Sequence, residues 1–314
     1  MKNVLSLFDG ISCGRLALDK AGIEYDNYYA SEIDKQAIDL VKKRFPSTKQ
    51  LGNVEEWEKW DLKDVFLLMA GSPCQGFSVN GGQDNFNHPQ SKLFFTFIDI
   101  LRHYKPKYFL LENVKMRKEW VDKISGYVEI TPIEINSSLV SAQSRSRLYW
   151  VNWPVSMPLN KNIFLKDILE TNKDWKAASI CGRRINPLTK KRNDNDSTLP
   201  YVQCIEVRGR GDKSGCLTTA DKDSVVTRFQ QGRHVGAYDQ LKKNVDWRLL
   251  SMIEIERLQT LPDNYTEGYS DSARRKMIGN GWTVDVIVYL LEEMINKQLK
   301  KYKKQMKLGD YFES

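Results

Sequence analysis

The stretch VFLLMAGSPC, residues 65–74, decides the fold class of this chain. Its first six residues form an unbroken apolar run, which is typical of a strand buried on both faces of a parallel sheet. Cys74 follows that strand, so we expect it on a loop at the strand's carboxyl end, where open α/β sheets gather ligands and chemistry. A thiol there can act as a nucleophile if its surroundings favour the thiolate, whereas an isolated cysteine is more often a buried structural residue.

Further strands and helices alternate on both sides of this stretch. Apolar runs predict strands at Val4–Phe8, Tyr28–Glu32, Leu51–Val54, Tyr108–Glu112, Tyr127–Ile135 and Arg147–Val151. Amphipathic stretches between them predict helices at Gly14–Ala21, Lys35–Phe45 and Leu93–His103. Repeated strand–helix units of this kind indicate an α/β fold with a doubly wound, mostly parallel sheet and helices on both faces.

The composition changes near Trp153, which suggests a second domain. Residues 1–153 form the expected sheet domain, and residues 154–246 are polar, basic and irregular with short β-like fragments. Helical periodicity returns from Trp247, so residues 247–304 are expected to be helices that return to the first domain. Residues 305–314 form a tail.

Charge and cysteine content narrow the class of protein. The net charge is +8, and residues 176–248 hold 15 Lys and Arg against 8 Asp and Glu, which gives 15 − 8 = +7. A localised basic segment favours a nucleic-acid partner, although a solvated basic face is a common alternative. The five cysteines include no C-x-x-C pair, which argues against a disulfide framework and a standard zinc site. No apolar run approaches the ~18 residues that span a membrane, and no cleavage site follows the N-terminus, so we expect a cytoplasmic, nucleoid-associated protein.

The turn after the first strand, Phe8–Gly14, is rich in glycine but matches neither a phosphate-binding loop nor a complete G-x-G-x-x-G. Glu32 follows the second strand about 20 positions later, where an acidic side chain can hold ribose hydroxyls. Together they indicate an adenosine-type cofactor that has no pyrophosphate.

Charged residues at the sheet edge complete a constellation. Glu112 ends the strand beside the Cys74 loop and is a candidate general acid, although a strand-end glutamate is more often an ion-pair partner. Arg145 and Arg147 on an extended segment face the same side and suit anion binding. Gly279-Asn280-Gly281 is expected to open the last helix.

With these motifs in order, the chain resembles the DNA (cytosine-5)-methyltransferase family over nearly its full length. The matching elements are the Phe8–Gly14 turn, Glu32, Gly-Ser-Pro-Cys at 71–74, Glu-Asn-Val at 112–114, Gln-x-Arg-x-Arg at 143–147, Arg257-Leu258-Gln259 with Pro262-Asp263, and Gly-Asn at 279–280. Its compact length is similar to that of microbial or viral members, and some segments resemble the animal de novo enzymes.

The resemblance implies an S-adenosylmethionine site at the carboxyl edge of the sheet, with S-adenosylhomocysteine as product and no metal. Glu32 would bind the ribose and Ile33 would pack on adenine, while Asn53 replaces a family aspartate whose oxygen accepts from the adenine amino group. The full implied set is Phe8, Asp9, Gly10, Ile11, Glu32, Ile33, Asn53, Pro73, Leu93 and Asn280.

It also implies the chemistry. The Cys74 thiolate would add to C6 of a flipped-out cytosine, and Glu112 would bond N3. Arg145 and Arg147 would hold the base's O2 and a neighbouring phosphate. C5 would then take the methyl group, and elimination would release the base.

Double-stranded DNA is the implied partner, bound by the protein as a monomer. The segment 75–87 would close over DNA and Asn80 would enter the gap, while the basic segment 176–248 would correspond to a target-recognition domain within residues 154–246. The residues implied for DNA contact are Ser78, Asn80, Arg208, Arg210, Thr218, Thr219, Arg228 and Arg233. A restriction–modification role follows from the same family.

The last residues carry a separate signal. Gln305, Leu308, Tyr311 and Phe312 match the pattern Q-x-x-aliphatic-x-x-aromatic-aromatic and resemble the peptide that docks replication proteins on the archaeal and eukaryotic sliding clamp. The alternative is a tail whose aromatics pack on the protein's own domain.

The sequence disfavours three alternative functions. A tRNA cytosine-5 methyltransferase of the family would carry Cys-Phe-Thr, and this tripeptide does not occur in the sequence. A catalytically inactive DNA-binding paralogue is disfavoured because Cys74, Glu112 and both arginines occur. An adenine-N6 methyltransferase would need an Asp/Asn-Pro-Pro-Tyr/Phe motif, which the sequence also lacks.

Overall fold

The computed structural model describes residues 2–71, 91–170, 174–189, 193–207, 212–217, 225–228, 233–235 and 247–309. The chain divides into two compact units. The first comprises Met1–Asn136, Ser146–Leu159 and Gly281–Ser314, and the second comprises Ser137–Arg145 and Asn160–Asn280. Within the described part of the chain, no helix is both long enough and apolar enough to cross a membrane.

A seven-stranded sheet forms the centre of the first unit. Its strands are β1 Asn3–Leu7, β2 Asn27–Ser31, β3 Lys49–Gln50, β4 Val65–Gly71, β5 Tyr108–Val114, β6 Ile133–Asn136 and β7 Ser146–Val151. They lie in the order β3-β2-β1-β4-β5-β7-β6. The pairs from β3 to β5 are parallel, and β7 runs antiparallel to both β5 and β6. The predicted α/β, doubly wound and mostly parallel sheet is therefore confirmed.

The helices of the first unit cover this sheet. They are α1 Cys13–Lys20, α2 Lys35–Arg44, α3 Ser91–Tyr104, α4 Lys118–Val128 and, after the second unit, α8 Val284–Gly309. All five residues of β1 are buried, and the central strand β4 contributes Leu67, Leu68, Met69 and Ala70 to the core. This explains why these strands read as continuous apolar runs in the sequence.

Two strand predictions were wrong in their placement. Leu51–Val54 is not a strand, because Asn53 caps a 3-10 helix at Val54–Lys59 by accepting the amide of Glu55, and the third strand is the two-residue β3 before it. Tyr127–Ile135 is divided, because α4 runs to Val128 and ends at Glu129, whose φ of +58° is left-handed. Only its last part enters β6.

The second unit has an antiparallel five-stranded sheet. Its strands are β8 Lys176–Arg184, β9 Tyr201–Val207, β10 Val225–Thr227, β11 Arg233–Val235 and β12 Trp247–Leu249, in the order β11-β9-β8-β10-β12. Helices α5 Leu165–Ile168, α6 Met252–Leu258 and α7 Asp271–Asn280 belong to the same unit. The N-terminus of α6 is a capping box in which Ser251 and Glu254 satisfy each other's backbone amides.

The division differs from the predicted domain boundaries. Residues 247–280 belong to the second unit rather than returning to the first, because β12 pairs with β10 and Gln259 donates to the carbonyl of Ile278. Only the segment from Gly281 onward rejoins the first unit. The last helix continues to Gly309, so the backbone of Gln305 and Leu308 is helical and the predicted tail begins inside α8.

Candidate active site

The turn after β1 has an unusual backbone. Phe8, Gly10 and Ser12 all adopt left-handed conformations, with φ of +56°, +56° and +57°. Glycine accepts such a conformation readily, whereas Phe8 and Ser12 are held there at a cost of about 1–2 kcal/mol each. Strained residues of this kind cluster at ligand sites, where the surrounding structure enforces them.

Asp9 holds this turn together through its carboxylate. The hydroxyls of Tyr28 and Ser12 donate to it, the former over 2.7 Å, and its backbone amide donates to the carbonyl of Ser31. Burial raises the pKa of Asp9 from 3.8 to about 6, although hydrogen bonds from hydroxyls oppose the shift. Asp9 thus joins the turn to β2.

Glu32 stands at the carboxyl end of β2, next to the same turn. Its carboxylate accepts the amide of Gly10 over 2.7 Å and those of Ile33 and Asp34 over 2.7 and 2.8 Å. Three backbone donors fix the carboxylate in one orientation. The structure therefore brings together two parts of the predicted cofactor site, the turn and the acidic residue.

The other predicted cofactor residues differ from one another in how far their side chains are exposed to solvent. Ile33 is 71% exposed, although it is a large apolar residue, whereas Ile11 is 1% exposed and belongs to the core. Phe8 and Leu93 are half-buried and pack against the apolar core. The side-chain oxygen of Asn53 accepts the amide of Glu55 as a helix cap, and Asn53 remains exposed.

Glu112 is the centre of a polar cluster at the carboxyl end of β5. It is 8% exposed, and its Oε1 lies 3.1 Å from Nε of Arg147. The register of β5 against β7 explains the contact, because Arg147 stands opposite Val114 and is therefore a diagonal neighbour of Glu112 on one face. Gly71, the last residue of β4 and three positions before Cys74 in sequence, stands beside Glu112 in the sheet.

Trp282 also contacts Glu112, and sequence reasoning missed it. Its indole Nε1 donates to Oε2 of Glu112 over 3.1 Å. The two residues lie 170 positions apart, so no local pattern links them. The only sequence signal near Trp282 was the Gly-Asn element just before it.

Arg145 and Gln143 are buried anchors within the second unit. Arg145, which is 7% exposed, donates to the carbonyls of Leu217 and Gly279 over 3.0 and 3.2 Å. Gln143 accepts the amide of Leu217 over 2.8 Å and donates to the carbonyl of Leu258 over 3.1 Å. This part of the motif orders backbone, and a phosphate contact by Arg145 stays a prediction.

The remaining motif residues of the second unit also contact or form parts of its backbone structure. Arg257 forms an ion pair with Asp263 over 2.6 Å and donates to the carbonyl of Ile168 over 2.9 Å. Gly279 and Asn280 end α7 rather than opening the last helix, which begins at Val284. The prediction that these residues lead into the last helix was wrong, because they form the end of the helix before it. Asn280 itself is exposed.

Several predicted site residues lie outside the part of the chain that the structure describes. They are Pro73, Cys74, Ser78, Asn80, Arg208, Arg210, Thr218, Thr219, Tyr311 and Phe312. Of the predicted DNA-contacting arginines, Arg228 is exposed and its guanidinium lies 4.9 Å from the ring centre of Trp175, while Arg233 lies on β11 opposite Glu206. Their contact with DNA stays a prediction.

One group of possible metal ligands occurs among the described residues. The ligand atoms of Cys181, Cys204 and Glu206 lie within 4.8 Å of one another. Arg183 already holds the Glu206 carboxylate through contacts of 2.8 and 3.2 Å. Burial raises the pKa of the Cys181 thiol to about 12, which opposes the thiolate that metals bind. The absence of a metal remains a prediction.

Comparison with known proteins identifies the relatives of this chain. The family model described as C-5 cytosine-specific DNA methylase matches residues 2–120 and 141–296. The type II methyltransferase M.HhaI of Haemophilus parahaemolyticus is 24% identical over 306 residues, covering 91% of this chain and 92% of that protein. The orphan methyltransferase M.Rho11sI of Bacillus phage rho11s is 31% identical over 241 residues, which are 65% of this chain, and the match spans 48% of the phage protein's length.

Solved structures agree on the fold. The methyltransferase EhMeth of Entamoeba histolytica superposes with a TM-score of 0.66 at 17% identity, covering 95% of this chain and 99% of that one. The Dnmt2 methyltransferase of S. pombe gives a TM-score of 0.62 at 19% identity, with coverage of 95% and 99%. At these identities the likeness concerns the fold alone.

Proposed function

The chain belongs to the C-5 cytosine-specific DNA methylase family and is a DNA (cytosine-5-)-methyltransferase, and we propose that it methylates C5 of a flipped-out cytosine in a specific double-stranded DNA sequence through a covalent Cys74 intermediate. One observation above all supports the covalent route. Glu112, held by Arg147, stands beside the end of the strand that leads into Cys74. A carboxyl group and a cysteine brought to one sheet edge suit nucleophilic attack with acid assistance.

The residues of the first unit fit S-adenosylmethionine. A Cβ added to Gly10 would meet no atom of the described residues within 4 Å, which is consistent with space for a ligand beside the turn. The oriented carboxylate of Glu32 suits two ribose hydroxyls, and the exposed side chain of Ile33 offers apolar surface to adenine. When bound, the cofactor supplies an electrophilic methyl group on its sulfonium.

The protein residues carry the remaining chemistry. The Cys74 thiolate forms a bond to C6, and the displaced π electrons make C5 nucleophilic while Glu112 bonds N3 and shares its proton. Arg147 orients Glu112, and its guanidinium would approach the base's O2. After C5 takes the methyl group, a base removes the C5 proton and the electron pair expels the Cys74 thiolate, restoring the ring.

The second unit is the proposed DNA-reading part of the enzyme. The basic residues of 176–248 would contact phosphates, and a few side chains such as Arg228 would read bases. The names of the bacterial relatives, type II methyltransferases, support a place in restriction–modification for this chain as well. We also propose that the enzyme acts on DNA as a monomer.

Methylation followed by bisulfite sequencing tests the proposal. Purified protein is incubated with S-adenosylmethionine and an unmethylated plasmid, and methylated cytosines are mapped to give the recognised sequence. Cys74→Ala is the control and should leave no product. Absence of 5-methylcytosine with the wild-type enzyme, or equal product with Cys74→Ala, would refute the mechanism.

A parallel incubation with unmodified tRNA tests the alternative substrate of the family. The solved structures of Dnmt2 enzymes match in fold only, so they do not favour RNA over DNA. Methyl transfer to tRNA without transfer to plasmid DNA would replace the proposed substrate while keeping the Cys74 chemistry.

A further inference from the structure

We propose that Trp282 is a positioning residue for Glu112, and this inference rests on the proposed role of Glu112 in methyl transfer. The indole N–H donates to Oε2 of Glu112 over 3.1 Å, while Nε of Arg147 approaches Oε1 over 3.1 Å. Each carboxylate oxygen therefore has its own donor. Two donors of fixed direction hold the carboxylate in one rotation, as a single donor cannot.

The indole ring occupies space that two glycines leave open. A Cβ added to Gly71 would lie 2.7 Å from Nε1 of Trp282, and one added to Gly14 would lie 3.1 Å from its ring carbon Cζ3 and 2.8 Å from Cε of Met69. Both distances are shorter than van der Waals contact, so the ring fills space that only glycine leaves open. The glycines of the first helix and of β4 therefore create the seat for Trp282.

The chemistry explains why a tryptophan suits this place. The indole N–H is a neutral donor with no acceptor capacity, so it orients Oε2 without adding a second positive charge beside Arg147. A carboxyl group has about four lone-pair sites, so two donors leave one free to hold the proton that Glu112 shares with N3. Trp282 thus prepares Glu112 for N3 without occupying the side that meets the substrate.

Trp282→Phe removes the donor and keeps most of the ring in its seat. We expect the single-turnover rate of methyl transfer to an unmethylated plasmid to fall about tenfold, the effect of losing one hydrogen bond to a charged group. Binding of S-adenosylmethionine and of the plasmid should stay within about twofold of wild type, because Glu112 acts in the chemical step.

Trp153→Phe is the matched control. Trp153 is 6% exposed in the same unit, and its indole N–H donates to the carbonyl of Leu290 over 2.9 Å. Its replacement by phenylalanine removes one indole hydrogen bond that does not involve Glu112. We expect a similar loss of Tm from both variants and a loss of rate from Trp282→Phe alone; equal loss of rate from both, or no loss from Trp282→Phe, would overturn the inference.

A double-mutant cycle with Glu112→Ala separates positioning from a structural role. If Trp282 acts through Glu112, adding Trp282→Phe to Glu112→Ala should leave the residual single-turnover rate unchanged. The same tenfold loss in both backgrounds would show that Trp282 acts elsewhere. If Glu112→Ala alone has the wild-type rate, the proposed role of Glu112 fails, whereas a slow Glu112→Ala with a normal Trp282→Phe refutes only this inference.

Discussion

Glycine at position 10 can serve two purposes, because it adopts a left-handed backbone without strain and it leaves space for a cofactor. Replacing Gly10 by alanine tests both. The φ of Gly10 is +56°, and a left-handed conformation costs an alanine about 1–2 kcal/mol. Among the residues that the structure describes, no heavy atom lies within 4 Å of the added Cβ, so we expect no steric clash with them. The new methyl group instead enters the open space beside Glu32, where we expect it to weaken S-adenosylmethionine binding about tenfold, or about 1.4 kcal/mol.

Gly22→Ala is the matched control. Gly22 follows α1 with a φ of +64°, and a Cβ there would also meet no atom of the described part of the chain within 4 Å. Both variants should lose similar stability, about 3 °C in Tm for each kcal/mol. The amide of Gly10 donates to Glu32 in the proposed cofactor site, whereas that of Gly22 donates to the carbonyl of Asp19 in α1.

Thermal unfolding with and without S-adenosylmethionine measures both effects. At a ligand concentration of 100 times the wild-type Kd, binding stabilises wild type and Gly22→Ala by about 2.7 kcal/mol. A tenfold weaker site in Gly10→Ala leaves about 1.4 kcal/mol, so its ligand-induced Tm shift should be about half. Equal ligand-induced shifts in the two variants would refute the placement of the cofactor beside Gly10.

Three further predictions concern a buried acid, an ion pair and the tail. Burial raises the pKa of Asp9 from 3.8 to about 6. The free energy of unfolding of wild type should therefore fall by up to about 3 kcal/mol relative to that of Asp9→Asn as the pH rises from 4 through 6, with no further change above pH 6. A difference in Tm between the two proteins that is the same at pH 4.5 and 7.5 would contradict this. Arg147→Ala leaves the buried carboxylate of Glu112 without its cation, so we expect the free energy of unfolding to fall by about 3 kcal/mol and the single-turnover rate to fall at least about 100-fold. Arg147→Lys should lie between wild type and Arg147→Ala in both quantities. A normal rate in Arg147→Ala would exclude a role for Arg147 in methyl transfer. Truncation after Lys304 should abolish retention on an immobilised archaeal or eukaryotic sliding clamp while leaving methylation unchanged, and undiminished retention would remove the clamp proposal.

The sheet could be predicted from the sequence because its central strands are buried on both faces. The apolar runs of β1, β4 and β5 predict buried strands, and the ends of β2, β4 and β5 place Glu32, the Cys74 loop and Glu112 at the carboxyl edge of the sheet. Apolar runs of this kind depend on local sequence alone. The contact of Arg147 with Glu112 does not, because Arg147 lies at the start of β7 and meets the end of β5 only since the two strands run antiparallel.

The parts that could not be predicted depend on contacts between distant residues. The seat of Trp282 is made by Gly14 and Gly71, and nothing local marks these glycines as neighbours of one ring. Gln143 and Arg257 looked like parts of a functional signature, but they anchor backbone carbonyls of the second unit. A motif therefore shows that a residue is needed, and only the structure shows whether chemistry or packing needs it.

The order of the first unit along the chain has a consequence for protein synthesis. Trp282 itself and the core positions of α8, including Ile287 and Leu290, come from the segment that begins at Gly281. On the ribosome, the strands and the Cys74 loop emerge long before this segment does. A nascent chain thus carries Cys74, the proposed nucleophile, early but gains the second donor to Glu112 only after the whole second unit has been synthesised, so the proposed active site is completed late.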